Sequence, residues 1–178
     1  MEFAIVGSVF LMVLLAIFEL GYMVFVQSTL DSSARTAARL IRTGQAQAAA
    51  NPQTFFQNAL CADVSTVISC GSLIYQVQEF SAWSGAQTAV NTPITRNPTT
   101  GAITGGGLCG AGVPSCFNAG TCGEIEIVQV TYNYPFFTQW IGQQLGGATQ
   151  SAMLSSTVVF QNEPFCTGAL PSPPLPLA

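Results

Sequence analysis

The sequence predicts an α+β fold: a long N-terminal helix packed on a small antiparallel β-sheet domain with disulfide-stapled loops. Three observations predict it. Phe3 to Val26 is almost unbroken apolar sequence, and helical patterning runs on to Gly44 with no proline. Three later stretches alternate with the period of two that a strand requires. Six cysteines, Cys61, Cys70, Cys109, Cys116, Cys122 and Cys166, all fall after the apolar run. The expected division is a helical segment over 1–44, with a membrane span at 3–26 and an amphipathic extension. An extracytoplasmic α+β domain follows over 45–168, then a proline-rich tail over 169–178.

The span comes first. As a helix, Phe3 to Val26 covers about 36 Å, enough for a hydrocarbon core of about 30 Å. It is too long for the apolar core of a cleaved signal peptide, and no basic residues precede it. Glu19 sits inside it. A charged carboxylate in a bilayer costs on the order of 2.5–3.5 kcal/mol, so it needs a partner or a function. Its helical neighbours Leu15, Tyr22 and Met23 offer no cation. Glu19 is therefore expected to be protonated, helped by Tyr22, or paired with another chain. Ala4, Gly7 and Ser8 are small enough to let a second helix approach closely.

Beyond the span, Leu30, Ala34, Ala37, Ala38 and Ile41 form an apolar stripe at helical spacing. Asp31 and Arg35 are spaced for an ion pair. Arg35, Arg39 and Arg42 share a basic face, and Gly44 is a natural stop. Those three arginines, counted alone, would place the following domain in the cytoplasm. The cysteines argue for an oxidising compartment instead, and the expectation follows them.

Charge narrows the function classes. Charged residues make up 7% of the 178-residue chain, which has no His, four Lys+Arg and a net charge of −4. All four bases are arginines, so His and Lys are both missing. Past residue 44 only Arg96 is basic, which leaves no footprint for nucleic acid. Without His or Lys the usual general bases and nucleophile activators are missing, so no catalytic site, cofactor or metal is expected. Glu124 and Glu126 share a strand face, where they read as solubilising. Disulfides are favoured over zinc, because no short paired-cysteine spacing and no His supports a zinc site. Cys61 with Cys70 is the favoured local pair.

In the domain, Asn51 and Pro52 read as the cap and first turn of a helix carrying Phe55, Phe56 and Leu60. "SLIYQVQEF" (72–80), "EIEIVQVTYNY" (124–134) and "SAMLSSTVVFQ" (151–161) read as strands. "PFFTQWIGQQLGG" (135–147) reads as a short helix opening at its proline. Asn97 to Gly123 is a long glycine-rich loop with three cysteines. Its Gly105–Gly107 run is no phosphate loop, since no Gly-Lys-Ser/Thr follows. "LPSPPLPLA" (170–178) reads as an extended tail.

"EFAIV" (2–6) and "IFELGYMVFVQSTLDSSARTAARLIRTG" (17–44), supported by "EIEIVQVTYNYPF" and "SSTVVFQNEPF", resemble the TadE-like family. These are small pilin-like proteins of the tight adherence (Tad, or Flp) pilus system. The resemblance implies a structural subunit, a minor pilin or pseudopilin contributing to pilus biogenesis and adhesion. It implies a prepilin cut by a prepilin peptidase after a glycine upstream of Glu2. In the family a glutamate typically lies fifth after that glycine, so Gly7 cannot be it, because the fifth residue after Gly7 is Met12. Glu2, with Phe3, matches the family's early glutamate, which would pair with a neighbour's free amine. Glu19 matches a second acidic position and, with Tyr22, is expected at an inter-subunit or platform contact. The implied partners are other pilin subunits, the peptidase, the inner-membrane pilus platform and, before assembly, lipid. The domain would be periplasmic and the assembled pilus extracellular. Two alternatives stay open: a membrane-tethered extracytoplasmic binding module, and a pilin that itself forms the main filament.

Overall fold

The computed structural model describes residues 2–164, with side chains from Val6 onward. Helix α1 (Glu2–Arg42) is one uninterrupted element of 41 residues, about 60 Å long at 1.5 Å per residue. It stops at Gly44, whose φ of 77° is the left-handed conformation that glycine adopts at least cost. Helix α2 (Gln45–Ala48) is a single turn, and α3 (Pro52–Val64) follows. The Asn51 side chain caps α3 by accepting the Thr54 N–H at 3.1 Å, with Pro52 in the first turn. Phe56, Leu60 and Val64 then face the core.

The remaining elements are β1 (Leu73–Phe80), α4 (Trp83–Val90), β2 (Ile94–Arg96), β3 (Ile103–Gly106), β4 (Cys116–Phe117), β5 (Ile125–Pro135), α5 (Gln139–Gly146) and β6 (Ser151–Gln161). The main sheet has the order β4-β1-β5-β6. Strands β1, β5 and β6 are antiparallel, and a Val77–Val128–Val158 row crosses all three. Strand β4 adds a two-residue parallel edge beside β1, which alternation in so short a segment could not announce. Strands β2 and β3 form a separate antiparallel hairpin.

One face of the sheet carries Tyr75, Val77, Val128 and Val130 into the core formed with α1 and α3. On α1 the buried stripe is Val26, Leu30, Ala34, Ala37, Ala38 and Ile41. Alanines at three of these positions let the helix approach the sheet and α3 closely. Strand β6 lies alongside. Gln27 donates to the Ser155 carbonyl near one end, and Glu163 N–H donates to the Arg42 carbonyl at the other.

The opposite face is covered by the glycine-rich segment and α4. Leu108, Ala86 and Phe80 pack on Ile125 and Ile127. Gln76 points into this layer and pins it. Its amide donates to Gly106 O and Pro114 O, both at 3.0 Å, and its carbonyl accepts Leu108 N–H at 2.8 Å. Gly107 must be glycine here: its φ is +61°, and a Cβ would collide with the Gln76 side-chain oxygen. The expected disulfide-stapled loop is a folded layer containing β3 and β4, closed by a Cys109–Cys116 disulfide. The favoured Cys61–Cys70 disulfide is present, with a Cα–Cα distance of 5.7 Å. Cys122 is disulfide-bonded too. Cys166 and the tail at 169–178 lie outside the described residues.

Three expectations are corrected. Pro135 ends β5 rather than opening α5, because the strand carries its pairing with β6 as far as Ser151. Asp31 accepts a hydrogen bond from Gln27 at 3.2 Å, and no ion pair with Arg35 forms among the described residues. Glu126 is not on a solvated face. It is 0% exposed, because its side of β5 is the side that faces the core.

Candidate functional site

The same helix has two environments. From Val6 to Phe25 most large side chains are exposed, including Val9, Phe10, Leu11, Val13, Ile17 and Phe18. Exposed apolar residues surround this half on all sides, so no single stripe could be covered by a one-sided domain. Its length and composition suffice to cross a membrane, and little of it is buried. A soluble core helix would show the reverse. This half of α1 is a candidate membrane anchor.

Glu19 is the exception inside it, at 5% exposure. Its carboxylate accepts the backbone N–H groups of Phe137 and Thr138, the latter at 3.1 Å to Oε1 and 3.2 Å to Oε2. Thr138 is the residue that opens α5. The acid therefore satisfies donors at a helix N-terminus, where negative charge is favoured. Its partner comes from its own chain, where sequence reasoning offered protonation, Tyr22 or another subunit. Tyr22 is instead part of an aromatic cluster, 5.7 Å from Phe137 and 6.2 Å from Tyr134 between ring centroids. Tyr134 in turn meets Phe136 edge-on at 5.6 Å. Phe137, Thr138 and Trp140 were missed as members of this site. The only signal was a charge-free, aromatic stretch between two strands.

Arg35, Arg39 and Arg42 are all exposed and flank a shallow groove with Val158, Val159 and Phe160. Arg42 meets Glu163 at 3.6 Å, with both side chains about half exposed. The side chains of Glu2 and Phe3 lie outside the described residues.

At the far end of the sheet three carboxyl groups gather. Neither oxygen of the buried Glu126 has a hydrogen-bond partner among the described residues. Burial, followed by the charges of Glu79 and Glu124, pushes its carboxyl up to about 9. Glu79 is raised chiefly by its contact with Glu124, which is lowered by that contact and by bonds from Thr121. Glu126 is thus a neutral carboxylic acid at pH 7. Among the described residues no group of three ligand-type side chains is arranged to hold a metal ion.

The bare half of α1 runs without a break into its seated half, and the comparison with known proteins falls on this helix. Residues 1–39 match the model of the TadE-like protein family. The match covers the whole exposed half and most of the buried stripe, and stops before the sheet domain. No curated protein and no solved structure matches the chain. The likeness to the TadE-like family is therefore carried by the helix alone. Glu19, Tyr22, Arg35 and Arg39 all fall within the TadE-like match, and Arg42 lies just beyond it.

Proposed function

We propose that this chain is a structural, pilin-like subunit of a Tad/Flp-type pilus, a minor pilin contributing to pilus biogenesis and adhesion. The observation that carries the reading is the continuous α1 with an exposed apolar half and a half seated on a disulfide-stapled head, over the stretch that is TadE-like. Before assembly the exposed half would sit in the inner membrane, with the head in the periplasm. In a filament the same surface would pack against equivalent helices of other subunits. Lipid and neighbouring helices are alternative solvents for one apolar surface, and this equivalence lets such a subunit leave a membrane at modest cost.

Glu2 is assigned the register-setting contact with a neighbour's amine. Such a pair is costly to break once it is out of water. Arg35, Arg39 and Arg42 offer a charged strip for neighbouring heads or the assembly platform. The prepilin peptidase is the implied processing partner. With no His and no Lys in the chain, a structural rather than enzymatic role fits its chemistry.

The test is Glu2→Ala, expressed in the native cells. The expected outcome is a variant that reaches the membrane fraction normally and disappears from the sheared pilus fraction. Normal incorporation would defeat the assignment. A tethered binding module would tolerate the substitution completely.

A further inference from the structure

The three acids at the far end of the sheet share their corner with a second kind of group. Glu79 and Glu126 are paired across β1 and β5. Asn162 follows the end of β6, with its backbone N–H on the Glu124 carbonyl at 2.8 Å. The segment after β4 crosses beside them. Asn118 donates its side-chain amide to Glu79 at 2.9 Å, and Thr121 donates its N–H and hydroxyl to Glu124 at 2.8 and 3.0 Å. Between Asn118 and Thr121 lies Gly120, with a φ of +62°. A Cβ on it would stand 2.7 Å from Glu126 Oε2 and 3.0 Å from Glu79 Oε2. Two carboxyl oxygens therefore converge on one point, and the glycine keeps that point free of a side chain.

Crowded acids alone are not a site, and among the described residues no three are arranged to hold a metal by themselves. What singles this corner out is its surplus of buried acceptors. Both carboxyl oxygens of Glu126, Oδ1 of Asn162 and Oε1 of Gln47 are buried with no hydrogen-bond partner among the described residues. Glu126 is 0% and Asn162 2% exposed. Asn162 and Gln47 reach the corner from different elements. Both donate their side-chain amide to the Ala119 carbonyl, at 3.2 and 2.7 Å, and Asn162 also donates to the Thr121 carbonyl at 2.9 Å. Their nitrogens are used on the carbonyls that flank Gly120, and their oxygens are left over beside it. Buried acceptors are ordinarily satisfied. Four of them around one glycine suit a single shared positive centre.

The donor set names the ion. Every available ligand is an oxygen, from a carboxylate or a neutral amide. The chain has no His, and the described cysteines are all disulfide-bonded, so metals that prefer nitrogen or sulfur are disfavoured. Calcium accepts carboxylate and amide oxygens in irregular geometry, whereas magnesium demands a near-ideal octahedron and keeps its water. Access comes from two sides. Glu79 and Glu124 are half-buried at the rim, and a groove lined by Gln47, Asn51 and Asn118 opens along Ala119 and Gly120.

We infer that this corner is a calcium site, in which Glu126 and Glu79 supply carboxylate oxygens, Asn162 and Gln47 supply amide oxygens, and Gly120 keeps the ion's place clear. The ion ties β1, β5, the end of β6 and α2 to the segment that crosses them. Glu126, neutral without the ion, gives up its proton on binding. Extracellular calcium modules bind at about 10⁻⁴–10⁻³ M. Occupation in the cell therefore rests on the reading of the head as extracytoplasmic; the site itself does not.

The test uses the full chain in detergent, disulfides intact, stripped with EDTA and titrated with calcium chloride by calorimetry. Thermal unfolding is followed alongside, with magnesium chloride at equal concentration as the comparison. The expected result is one calcium per chain with a Kd of about 10⁻⁴–10⁻³ M. The melting temperature should rise with calcium and respond little to magnesium. Glu126→Gln should lose both the binding and the rise, while melting no lower than the parent in EDTA. Glu79→Gln, at the rim, should weaken binding about tenfold or more.

A chain that melts cooperatively and binds no calcium would overturn the inference and leave Glu126 a buried neutral acid. Equal stabilisation by magnesium, or a calcium response that survives Glu126→Gln, would mean diffuse screening of surface acids, which also overturns it. Should Glu126→Gln fail to fold, Glu79→Gln decides, and an unchanged affinity there overturns the site. No arm requires a membrane or a pilus, so failure here leaves the subunit reading to its own test at Glu2.

Discussion

The two halves of α1 are continuous in backbone and differ in everything around it. Val6 to Phe25 presents large apolar side chains on all sides, and almost none is covered. Val26 to Ile41 confines its apolar residues to one stripe, includes three alanines in it, and buries that stripe to 2% exposure or less. Helix propensity cannot explain this, since both halves are equally helical. The distribution of side chains around the axis does. A one-sided stripe can be satisfied by one domain; an all-round apolar surface needs a surrounding phase, whether lipid or a bundle of like helices.

A single charge separates the halves most sharply. Ala37→Asp places an unpaired carboxylate in the seated half and should cost about 4 kcal/mol or more. The head should lose its cooperative thermal transition in detergent and its resistance to protease. Val13→Asp, in the bare half, should leave that transition in place and reduce membrane insertion instead. Equal effects from both would erase the distinction between the halves.

The far end of the head offers a second contrast, because it titrates independently of the anchor. Glu126 is raised to about 9 in the folded protein, against an ordinary unfolded carboxyl near 4.5. The folded state then holds one proton more than the unfolded state between those values, so stability falls as pH rises across that window. Its neighbours Glu79 and Glu124 shift in opposite directions. The melting temperature should drop between pH 5 and pH 9. Glu126→Gln, a neutral side chain of the same shape, should flatten that profile and leave vesicle binding unchanged.

At the junction of the halves, Glu19→Ala would leave the Phe137 and Thr138 N–H groups without their acceptor. The expected cost is about 1–3 kcal/mol, read as faster amide exchange at those two positions before global unfolding. Slow exchange in the variant would mean that the tie is incidental. The smallest effect belongs to Arg42→Ala at the other end. Its ion pair with Glu163 is exposed and should contribute less than about 1 kcal/mol, with any loss vanishing at high salt.

How much was legible in the sequence follows the range of each interaction. The stripe from Leu30 to Ile41 repeats at the helical period, so it could be read locally. So could the strands that became β1, β5 and β6, the Asn51 cap and the Cys61–Cys70 bridge. Glu19 could be recognised as needing a partner, but not given one. Its donors lie 118 and 119 residues away and are backbone groups, which leave no mark in a sequence. Gln76 looked like one polar residue of an alternating strand, yet it fastens the whole glycine-rich layer. Glu126 alternated correctly and was assigned to solvent, because alternation separates two faces without saying which is covered. Here both are. Helix α4 had no strong cap or period and went unread.

The contacts of α1 with β6 have a mechanical meaning. Helix and strand run in the same direction, fastened near one end by Gln27 to Ser155 and at the other by Arg42 to Glu163. Tension applied to the head along the helix axis would slide the two elements past each other rather than lift one from the other. Both fastenings and the stripe between them would then resist together, in shear. Prying the head sideways would open them one at a time. Such a joint is strong along its length and weak across it, which suits a part that is pulled by its own stem.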